Sequence, residues 1–271
     1  FPSKAIAGVG VMFYVMLALR AELRNRKAFE DKTEPNLAAL TDLVALGTVA
    51  DVVPLDANNR ILVAQGLKRL RSGTGKAGLA ALARAGGRDT ARANCFDLGF
   101  ILGPRLNAAG RLADMGLGIE CLITDDEARA ANCAQELDRL NRERRRIEGE
   151  MLDEANAVLD GLVGTAGETM TASCTLYQPA WHQGVVGLIA SRVRERIHRP
   201  VICFAKSNSD ELRGSGRSIP GFHLRDALDL VAKRSPGLIL RFGGHAQAAG
   251  LTIREPDLGL FRDLFVSTAA E

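Results

Sequence analysis

Four glycine-rich segments of this chain contain polar residues that a hydrophobic core would not use, so they could carry chemistry. In the first, GTVADVVPL at residues 47–55, Asp51 stands inside an apolar run. A carboxylate there is costly unless its charge is paired, and Mg²⁺ and Mn²⁺ are cations that prefer oxygen ligands. Asp51 is therefore a candidate metal ligand, and the alternative is a helix cap or a turn former.

The second segment, GPRLNAAGRL at residues 103–112, sets Arg105, Asn107 and Arg111 between glycines and small residues. Guanidinium forks and backbone N–H groups are the usual protein ligands of phosphate. We therefore expect a phosphate-binding loop here, and the alternative is a surface turn whose arginines hold no ligand.

The third and fourth segments each place a histidine beside glycine at the edge of an apolar element. They are AWHQGVVG at residues 180–187, with His182, and GGHAQAAG at residues 243–250, with Gly243, Gly244 and His245. A single histidine is more often structural than a ligand, but two such motifs in one small region favour a binding role.

Between the two histidine motifs, RGSGRS at residues 213–218 alternates glycine with polar and basic residues. If this segment is extended, Ser215 and Arg217 point to the same side, as holding one phosphate requires. No serine or cysteine lies in a recognisable nucleophile arrangement, and the P-loop pattern is absent, so neither chemistry is predicted.

The elements that position these residues are helical in the first half of the chain. Residues 5–19 are almost wholly apolar and too short to cross a membrane, so they predict a helix buried on all sides. Residues 37–50 predict a helix ending near Gly47, and residues 58–70 an amphipathic helix. Residues 125–160 predict a long helix whose arginines form either a solvated face or an electrostatic rail for a phosphate backbone.

The second half of the chain changes in character. Strand-like runs at residues 171–177 and 200–205 flank a helical run at residues 185–197. This strand–helix–strand order predicts a second α/β domain, and we place the domain boundary inside the long helix.

Composition is that of an ordinary globular protein, with 46% hydrophobic and 25% charged residues. The net charge of +3 neither requires nor excludes nucleic acid, and 5% aromatic residues argue against a protein built on stacked aromatic platforms. Five scattered cysteines without a C-x-x-C pair predict reduced thiols in a cytoplasmic protein. Because the chain opens on Phe1 and an apolar helix, we expect it to be cut from a longer protein.

Six segments, in order, resemble the RecJ family of the DHH phosphoesterase superfamily and cover nearly the whole chain. They are PSKAIAGVGV (2–11), LVALGTVADVVPL (43–55), LGPRLNAAGRL (102–112), WHQGVVGLIASRV (181–193), RGSGRSIPGF (213–222) and FGGHAQAAGLTI (242–253). The resemblance implies an α/β protein: the C-terminal portion of a DHH catalytic domain (1–126), a linking helix (127–160) and a smaller DHH-associated substrate-binding domain (161–271).

The resemblance also implies 5′-to-3′ exonuclease action on single-stranded DNA in DNA recombination and repair. The implied cofactors are two Mn²⁺ or Mg²⁺ ions, which in such sites activate water and neutralise charge on the phosphate. The implied substrate is single-stranded DNA with a 5′ end, and the implied partners are a single-strand binding protein and a helicase. No membrane association is implied.

In the catalytic portion, Asp51 matches the family's last metal-binding aspartate, a catalytic residue. Arg105, Asn107 and Arg111 lie where the family contacts DNA and phosphate near the metal centre.

In the associated domain, Ser215 and Arg217 match residues expected to hold the terminal 5′-phosphate. His245, with the amides of the two glycines before it, resembles the family's substrate-phosphate clamp. His182 is placed where contact with the substrate is expected.

One departure from the family pattern decides what the chain can do alone. The family's D-x-D pair, a further aspartate and the Asp-His-His triplet should precede residues 2–11, and none is present. We therefore expect this chain to be inactive as a nuclease. The alternatives are a single-strand-binding module without catalysis, or a DHH phosphoesterase that acts on short oligonucleotides or cyclic dinucleotides.

Overall fold

A computed structural model describes residues 3–163, 171–207 and 210–271 of the chain. Contacts divide the chain into two compact units, Phe1–Glu143 and Arg144–Glu271, and the division falls inside the long helix Glu127–Val163. The chain combines α-helices with a five-stranded sheet, which confirms the predicted α/β class. Within the described ranges, no helix is both long and apolar enough to cross a lipid bilayer.

The first unit is helical in its described residues. Its α-helices are α1 (Gly8–Asn25), α2 (Thr41–Ala50), α3 (Ala57–Arg71), α4 (Ala77–Ala85), α5 (Gly103–Leu112), α6 (Gly116–Ile123) and the start of α7 (Glu127–Val163). Short 3₁₀ turns lie at Leu37–Leu40 and Thr90–Arg92, and a π-helix at Asp97–Leu102 runs directly into α5. The core contains fully buried leucines of α4, the π-helix and α7, among them Leu79, Leu98 and Leu137.

The prediction that the first apolar helix is buried on all sides is wrong for the described residues. Phe13 of α1 is buried, but Met12, Val15 and Leu19 are about half exposed. One face packs on the core, where Val9 fills the space above Gly47 of α2. The composition of a helix indicates how apolar it is but not how many neighbours surround it.

The second unit is built on a sheet with strand order β1-β2-β3-β5-β4. The strands are β1 (Cys174–Tyr177), β2 (Val201–Lys206), β3 (Glu211–Arg217), β4 (Ile239–Gly244) and β5 (Ala248–Arg254). Helices α8 (Val186–Ile197), α9 (Leu224–Arg234) and α10 (Leu258–Ala270) complete it. Strands β1 and β2 are parallel and joined through α8, which confirms the predicted strand–helix–strand unit. The remaining pairs are antiparallel.

The two faces of this sheet differ in chemistry. On one face, apolar residues of β2, β3 and β5 pack with Phe261 and Phe265 of α10 and with the buried side of α9. Gly214 and Gly216 of β3 lie on this face, where a Cβ would meet Phe204 or Leu224. The polar side chains of β3 therefore project from the opposite face, on which α8 packs.

Candidate functional site

Strand β3 places a hydroxyl and a guanidinium side by side. The Arg217 Nη1 donates to Ser215 Oγ at 3.1 Å and to the Gly216 carbonyl at 2.8 Å. The predicted same-side placement of Ser215 and Arg217 is thus confirmed, because alternate residues of a strand share one face. Both side chains are half-buried, so they are held in place and still reachable.

The first turn of α8 packs against this pair. A Cβ built on Gly187, the second residue of the helix, would lie 2.9 Å from Ser215 Oγ and 3.0 Å from Arg217 Nη2. Among the residues that the structure describes, no side chain caps the N-terminus of α8. The Val186 and Leu188 N–H groups already donate to the His182 and Val185 carbonyls, at 3.3 and 2.8 Å, so this helix end offers an anion the positive end of the helix dipole and the Gly187 N–H. Hydroxyl, guanidinium and helix N-terminus converge on a place suited to one phosphate.

A second pair of arginines extends the polar face beyond Ser215 and Arg217. Arg213 Nη1 donates to Gln183 Oε1 at 3.1 Å, and Arg241 Nε donates to Thr252 Oγ1 at 3.1 Å. All four residues line a cavity of about 500 Å³ beside Ser215. Arg241 Nη2 also lies 3.9 Å from the Glu211 carboxylate, and Arg213, Arg217 and Arg241 together give this face three guanidinium groups. The face is therefore basic.

Sequence reasoning did not select Arg213, Arg241, Thr252 or Gln183 as site residues. Arg213 could have been found, because it is two residues from Ser215 on the same strand. Arg241 and Thr252 come together through the pairing of β4 with β5, which the sequence does not specify.

A row of glycines leaves the backbone of the sheet uncovered next to Ser215. In the sheet, Ser215 pairs with Gly250 of β5, and Gly250 pairs with Gly243 of β4. Gly250 and Gly243 have no side chains, so Ser215 is the member of this row that carries one. A Cβ built on Gly243 would have no described atom within 4 Å. Neighbouring strands lie about 4.8 Å apart, so the row leaves roughly 10 Å of bare backbone for a ligand.

The GGHAQAAG motif forms the connection between β4 and β5. Gly244 has φ +147°, and a Cβ there would lie 2.3 Å from the Ala248 carbonyl oxygen, so only glycine fits. The His245 N–H donates to the Ala248 carbonyl at 2.8 Å, and its Nδ1 accepts from the Gln247 N–H at 3.3 Å. The ring is exposed, with Nε2 left over as a donor. A phosphate contact by His245 stays a prediction.

His182 shapes the entry to α8. Its carbonyl accepts from the Val185 N–H at 2.9 Å, and its Nδ1 accepts from the Gly184 N–H at 3.1 Å. These bonds hold the turn that precedes the helix and leave Nε2 as the second ring nitrogen. The arrangement is local, and contact between His182 and substrate stays a prediction.

The thiol beside Ser215 in the sheet is buried and does not act as a nucleophile at pH 7. Cys203 pairs with Ser215 across β2 and β3, and it is fully buried. Burial raises the pKa of the Cys203 thiol well above its ordinary value, so the thiol stays neutral at pH 7.

In the first unit, Asp51 is the C-terminal cap residue of α2. Its N–H donates to the Gly47 carbonyl at 3.0 Å, and its side chain is exposed. The next residue, Val52, has φ +56°, an unfavourable conformation for a β-branched side chain. Such strain often marks functional positions, since the surrounding structure must enforce it. The metal-binding role of Asp51 stays a prediction.

The prediction that residues 103–112 form a loop is wrong, because these residues form helix α5, and phosphate binding by this segment stays a prediction. Pro104 is compatible with the first turn of a helix, and Leu106, Ala108 and Ala109 are buried on its inner side. The first glycine of the segment serves helix packing, since Gly103 lies against Ala50 of α2.

The three polar residues of α5 have different surroundings. Arg105 is buried, donating from Nε to Asp138 Oδ1 at 3.0 Å and from Nη1 to the Ile101 carbonyl at 2.7 Å. A phosphate contact by Arg105 would require this ion pair to break. Asn107 is exposed and Arg111 half-exposed, one helical turn apart. Their DNA contact stays a prediction.

The described residues contain no group of three or more His, Cys, Asp or Glu side chains that could hold a metal ion. The described residues therefore do not by themselves fit a complete two-metal site, and the contribution of one carboxylate by Asp51 stays a prediction.

Comparison with known proteins gives consistent results. The profile of the DHHA1 domain matches residues 168–271. Over 273 aligned residues the chain is 54% identical to the single-stranded-DNA-specific exonuclease RecJ of Dickeya dadantii and 52% identical to that of Escherichia coli. These alignments cover 100% of the chain and 47% of each relative, so the chain spans about half the length of these curated relatives.

Two solved structures share the fold. The chain matches Thermus thermophilus RecJ in complex with Mg²⁺ at a TM-score of 0.78 and 34% identity, over 96% of this chain and 38% of that chain. It matches exonuclease RecJ bound to manganese at a TM-score of 0.75 and 33% identity, over 97% of this chain and 60% of that chain.

Proposed function

Because the chain belongs to the RecJ family, we propose that its second unit holds the phosphate backbone of a single DNA strand for 5′-to-3′ cleavage by the intact protein. The observation that carries this proposal is the convergence of Ser215, Arg217 and the first turn of α8 on one place. Serine hydroxyl, guanidinium fork and backbone N–H groups are together suited to a phosphate that ends a strand.

Charge and shape favour a strand over a free phosphate ion. Arg213 and Arg241 line the cavity beside the converging groups, and the glycine row at Gly243 and Gly250 gives backbone-sized space next to them. Successive residues of one strand face are about 6.6 Å apart, which separates Arg213 from Arg217 by about 13 Å, so each can face a different phosphate. The polar face then binds the terminal phosphate and at least one further phosphate of the same strand.

The catalytic centre belongs to the intact protein. A divalent cation, Mn²⁺ or Mg²⁺, would neutralise charge on the scissile phosphate there, and Asp51 would supply one of its carboxylate ligands. The two solved relatives hold Mg²⁺ or manganese. Since the described residues do not fit a complete two-metal site, no catalytic step is assigned to this chain.

The cellular setting follows from the same proposal. The intact protein degrades single-stranded DNA during recombination and repair in the cytoplasm, supplied by a helicase and a single-strand binding protein. A DHH phosphoesterase that acts on short oligonucleotides is the competing function, and it predicts tighter binding of a dinucleotide than of a long strand.

The proposal is tested by binding and turnover assays on the same preparation. Fluorescence anisotropy with a 5′-phosphorylated single strand should show binding that weakens with salt, while the same strand with Mn²⁺ should remain uncut. The Arg217→Gln variant should bind more weakly and lose about 0.7 from the slope of log affinity against log salt. Binding unaffected by Arg217→Gln, or turnover by the chain alone, would show the proposal to be wrong.

A further inference from the structure

Helix α8 contacts both the sheet and the C-terminal half of α7. Its first turn packs against the sheet, where a Cβ on Gly187 would lie 2.9 Å from Ser215 Oγ. Near its other end, Arg196 donates from Nη1 to Asn156 Oδ1 at 2.6 Å and from Nη2 to Asp160 Oδ1 at 2.5 Å. All of these residues belong to the second unit. The C-terminal end of α8 is therefore bound to α7.

Trp181 binds the segment before α8 to the same long helix. The residue is 4% exposed, and its Nε1 donates to Glu154 Oε2 of α7 at 2.8 Å. A hydrogen bond to a carboxylate is stronger than one between neutral groups, and a buried indole N–H without an acceptor would be costly. Glu154 therefore fixes where the indole lies and which way its N–H points.

Backbone hydrogen bonds connect Trp181 closely to the first turn of α8. The carbonyl of the next residue, His182, accepts from the Val185 N–H at 2.9 Å, and the Val185 carbonyl accepts from the Leu188 N–H at 2.8 Å. These bonds close two successive turns, so little backbone freedom remains between Trp181 and Gly187. A displacement of the indole would therefore move the first turn of α8 with it.

The proposed phosphate site tolerates little movement of this helix end. The backbone at Gly187 approaches Ser215 and Arg217 without room for a methyl group. A hydrogen bond from N–H to oxygen is optimal at about 2.9 Å, and a separation of about 3.6 Å no longer counts as one. A shift of the helix end by about 0.7 Å would therefore separate the Gly187 N–H from a phosphate held by the two side chains of β3.

We propose that Trp181 and Glu154 are positioning residues, which together hold the first turn of α8 at the distance from the polar face that one terminal phosphate requires. This inference rests on the proposed phosphate-binding function and names the groups that set the geometry of that site. The two residues act through the turn before α8 and through Gly187, not by touching the phosphate.

The hydrogen bond is tested by removing its donor and its acceptor separately. Fluorescence anisotropy gives the affinity for one strand sequence with a 5′-phosphate and with a 5′-hydroxyl, and the ratio of the two measures phosphate recognition. Trp181→Phe removes the N–H donor, and Glu154→Ala removes the acceptor. Each variant should reduce the wild-type preference for the phosphate by about 2- to 10-fold, because the helix end then occupies its binding position for less of the time.

Two further variants identify this hydrogen bond as the cause. Glu154→Gln keeps an amide oxygen as the acceptor, so it should retain most of the preference for the phosphate. Trp181→Phe/Glu154→Ala removes both partners of the same bond. Its loss of preference should therefore equal that of the stronger single variant rather than the product of the two single losses.

Asp160→Ala is the matched control, because it removes another carboxylate of α7 that binds α8. Its partner Arg196 lies about 14 Å along the helix from Gly187. The control can lower the urea midpoint, as the loss of any structural contact can, but it should leave the preference for the phosphate at the wild-type value. Circular dichroism verifies that each variant is folded.

The outcomes distinguish the positioning role from the function on which it rests. If Ser215→Ala/Arg217→Gln abolishes the preference but removal of either bonding group keeps it, the positioning role is wrong and the phosphate site stands. The role is also wrong if Glu154→Gln loses as much preference as Glu154→Ala, or if Asp160→Ala loses as much as either single variant of the bond. A wild-type ratio of one would show that both the phosphate-binding function and the positioning role are wrong.

Discussion

Replacing Gly187 by alanine tests the phosphate site while both Ser215 and Arg217 remain in the chain. The new Cβ would lie 2.9 Å from Ser215 Oγ and 3.0 Å from Arg217 Nη2. This is about 0.6 Å short of a comfortable contact between non-bonded heavy atoms. Both neighbours are mobile side chains rather than backbone, so the protein can fold with the alanine in place while hydroxyl and guanidinium are displaced.

Stability and binding should then separate. Alanine gains up to about 1 kcal/mol in helix propensity over glycine, and an off-rotamer neighbour costs about 0.5–1.5 kcal/mol. The free energy of unfolding should therefore change by no more than about 1 kcal/mol. A lost hydrogen bond to a charged phosphate is worth about 1.5–3 kcal/mol, so affinity for a 5′-phosphorylated strand should fall about 10- to 100-fold.

The assay compares urea unfolding with anisotropy binding for Gly187→Ala and for Gly259→Ala. Gly259 is also the second residue of its helix, α10, but has nothing within 4 Å of its Cβ position. Gly259→Ala should leave the affinity for the strand unchanged. It should raise the free energy of unfolding slightly, as the higher helix propensity of alanine predicts. Wild-type affinity in a folded Gly187→Ala variant would refute the placement of the phosphate beside Ser215 and Arg217.

Three further predictions concern stability. Asp138→Asn leaves the Arg105 guanidinium buried without its carboxylate and should lower the unfolding free energy of the first unit by about 3–5 kcal/mol in urea titrations. Gly244→Ala forces a Cβ against the Ala248 carbonyl and should cost about 1–3 kcal/mol or more by the same measurement, whereas Gly243→Ala should cost less. Burial raises the pKa of the Cys174 thiol from its ordinary value of 9.0 to about 11. Between pH 9 and 11 the unfolded thiol loses its proton while the buried thiol keeps it, so the free energy of unfolding falls as the pH rises through this range. The urea midpoint should therefore fall between pH 9 and 11, and it should fall less steeply in Cys174→Ala.

The controls for these predictions are available in the chain. Arg142 is the exposed partner of Asp138, and its removal should cost less than about 1 kcal/mol because the buried Asp138 carboxylate keeps its ion pair with Arg105. An equal loss from Arg142→Ala and Asp138→Asn would contradict the role given to the buried ion pair. A rise in stability between pH 9 and 11 would contradict the sign worked out for Cys174.

The local sequence pattern was enough to predict two features of the second unit, the strand–helix–strand order and the shared face of Ser215 and Arg217. Alternation along RGSGRS gives the shared face of Ser215 and Arg217 from the period of a strand alone, and the β1–α8–β2 order follows from the sequence of apolar runs. Both features depend on neighbours in the chain, which the sequence displays directly.

Features set by distant parts of the chain were not predictable. The ion pair between Arg105 of α5 and Asp138, 33 residues away, is one such feature. That pairing needs α5 and α7 to be neighbours. The same holds for Arg241 with Thr252, and for the exposure of Phe96 and Phe100, since spacing of four residues predicts contact but not accessibility.

The central claim is that Ser215, Arg217 and the first turn of α8 hold the terminal phosphate of a single DNA strand. The most direct measurement compares two strands of the same sequence, one with a 5′-hydroxyl and the other with a 5′-phosphate. The quantity measured is the ratio of their dissociation constants. Wild type should favour the phosphate by about 10-fold or more, and Ser215→Ala/Arg217→Gln should bring the ratio close to one. A wild-type ratio of one, or a ratio unchanged in the double variant, would contradict the claim.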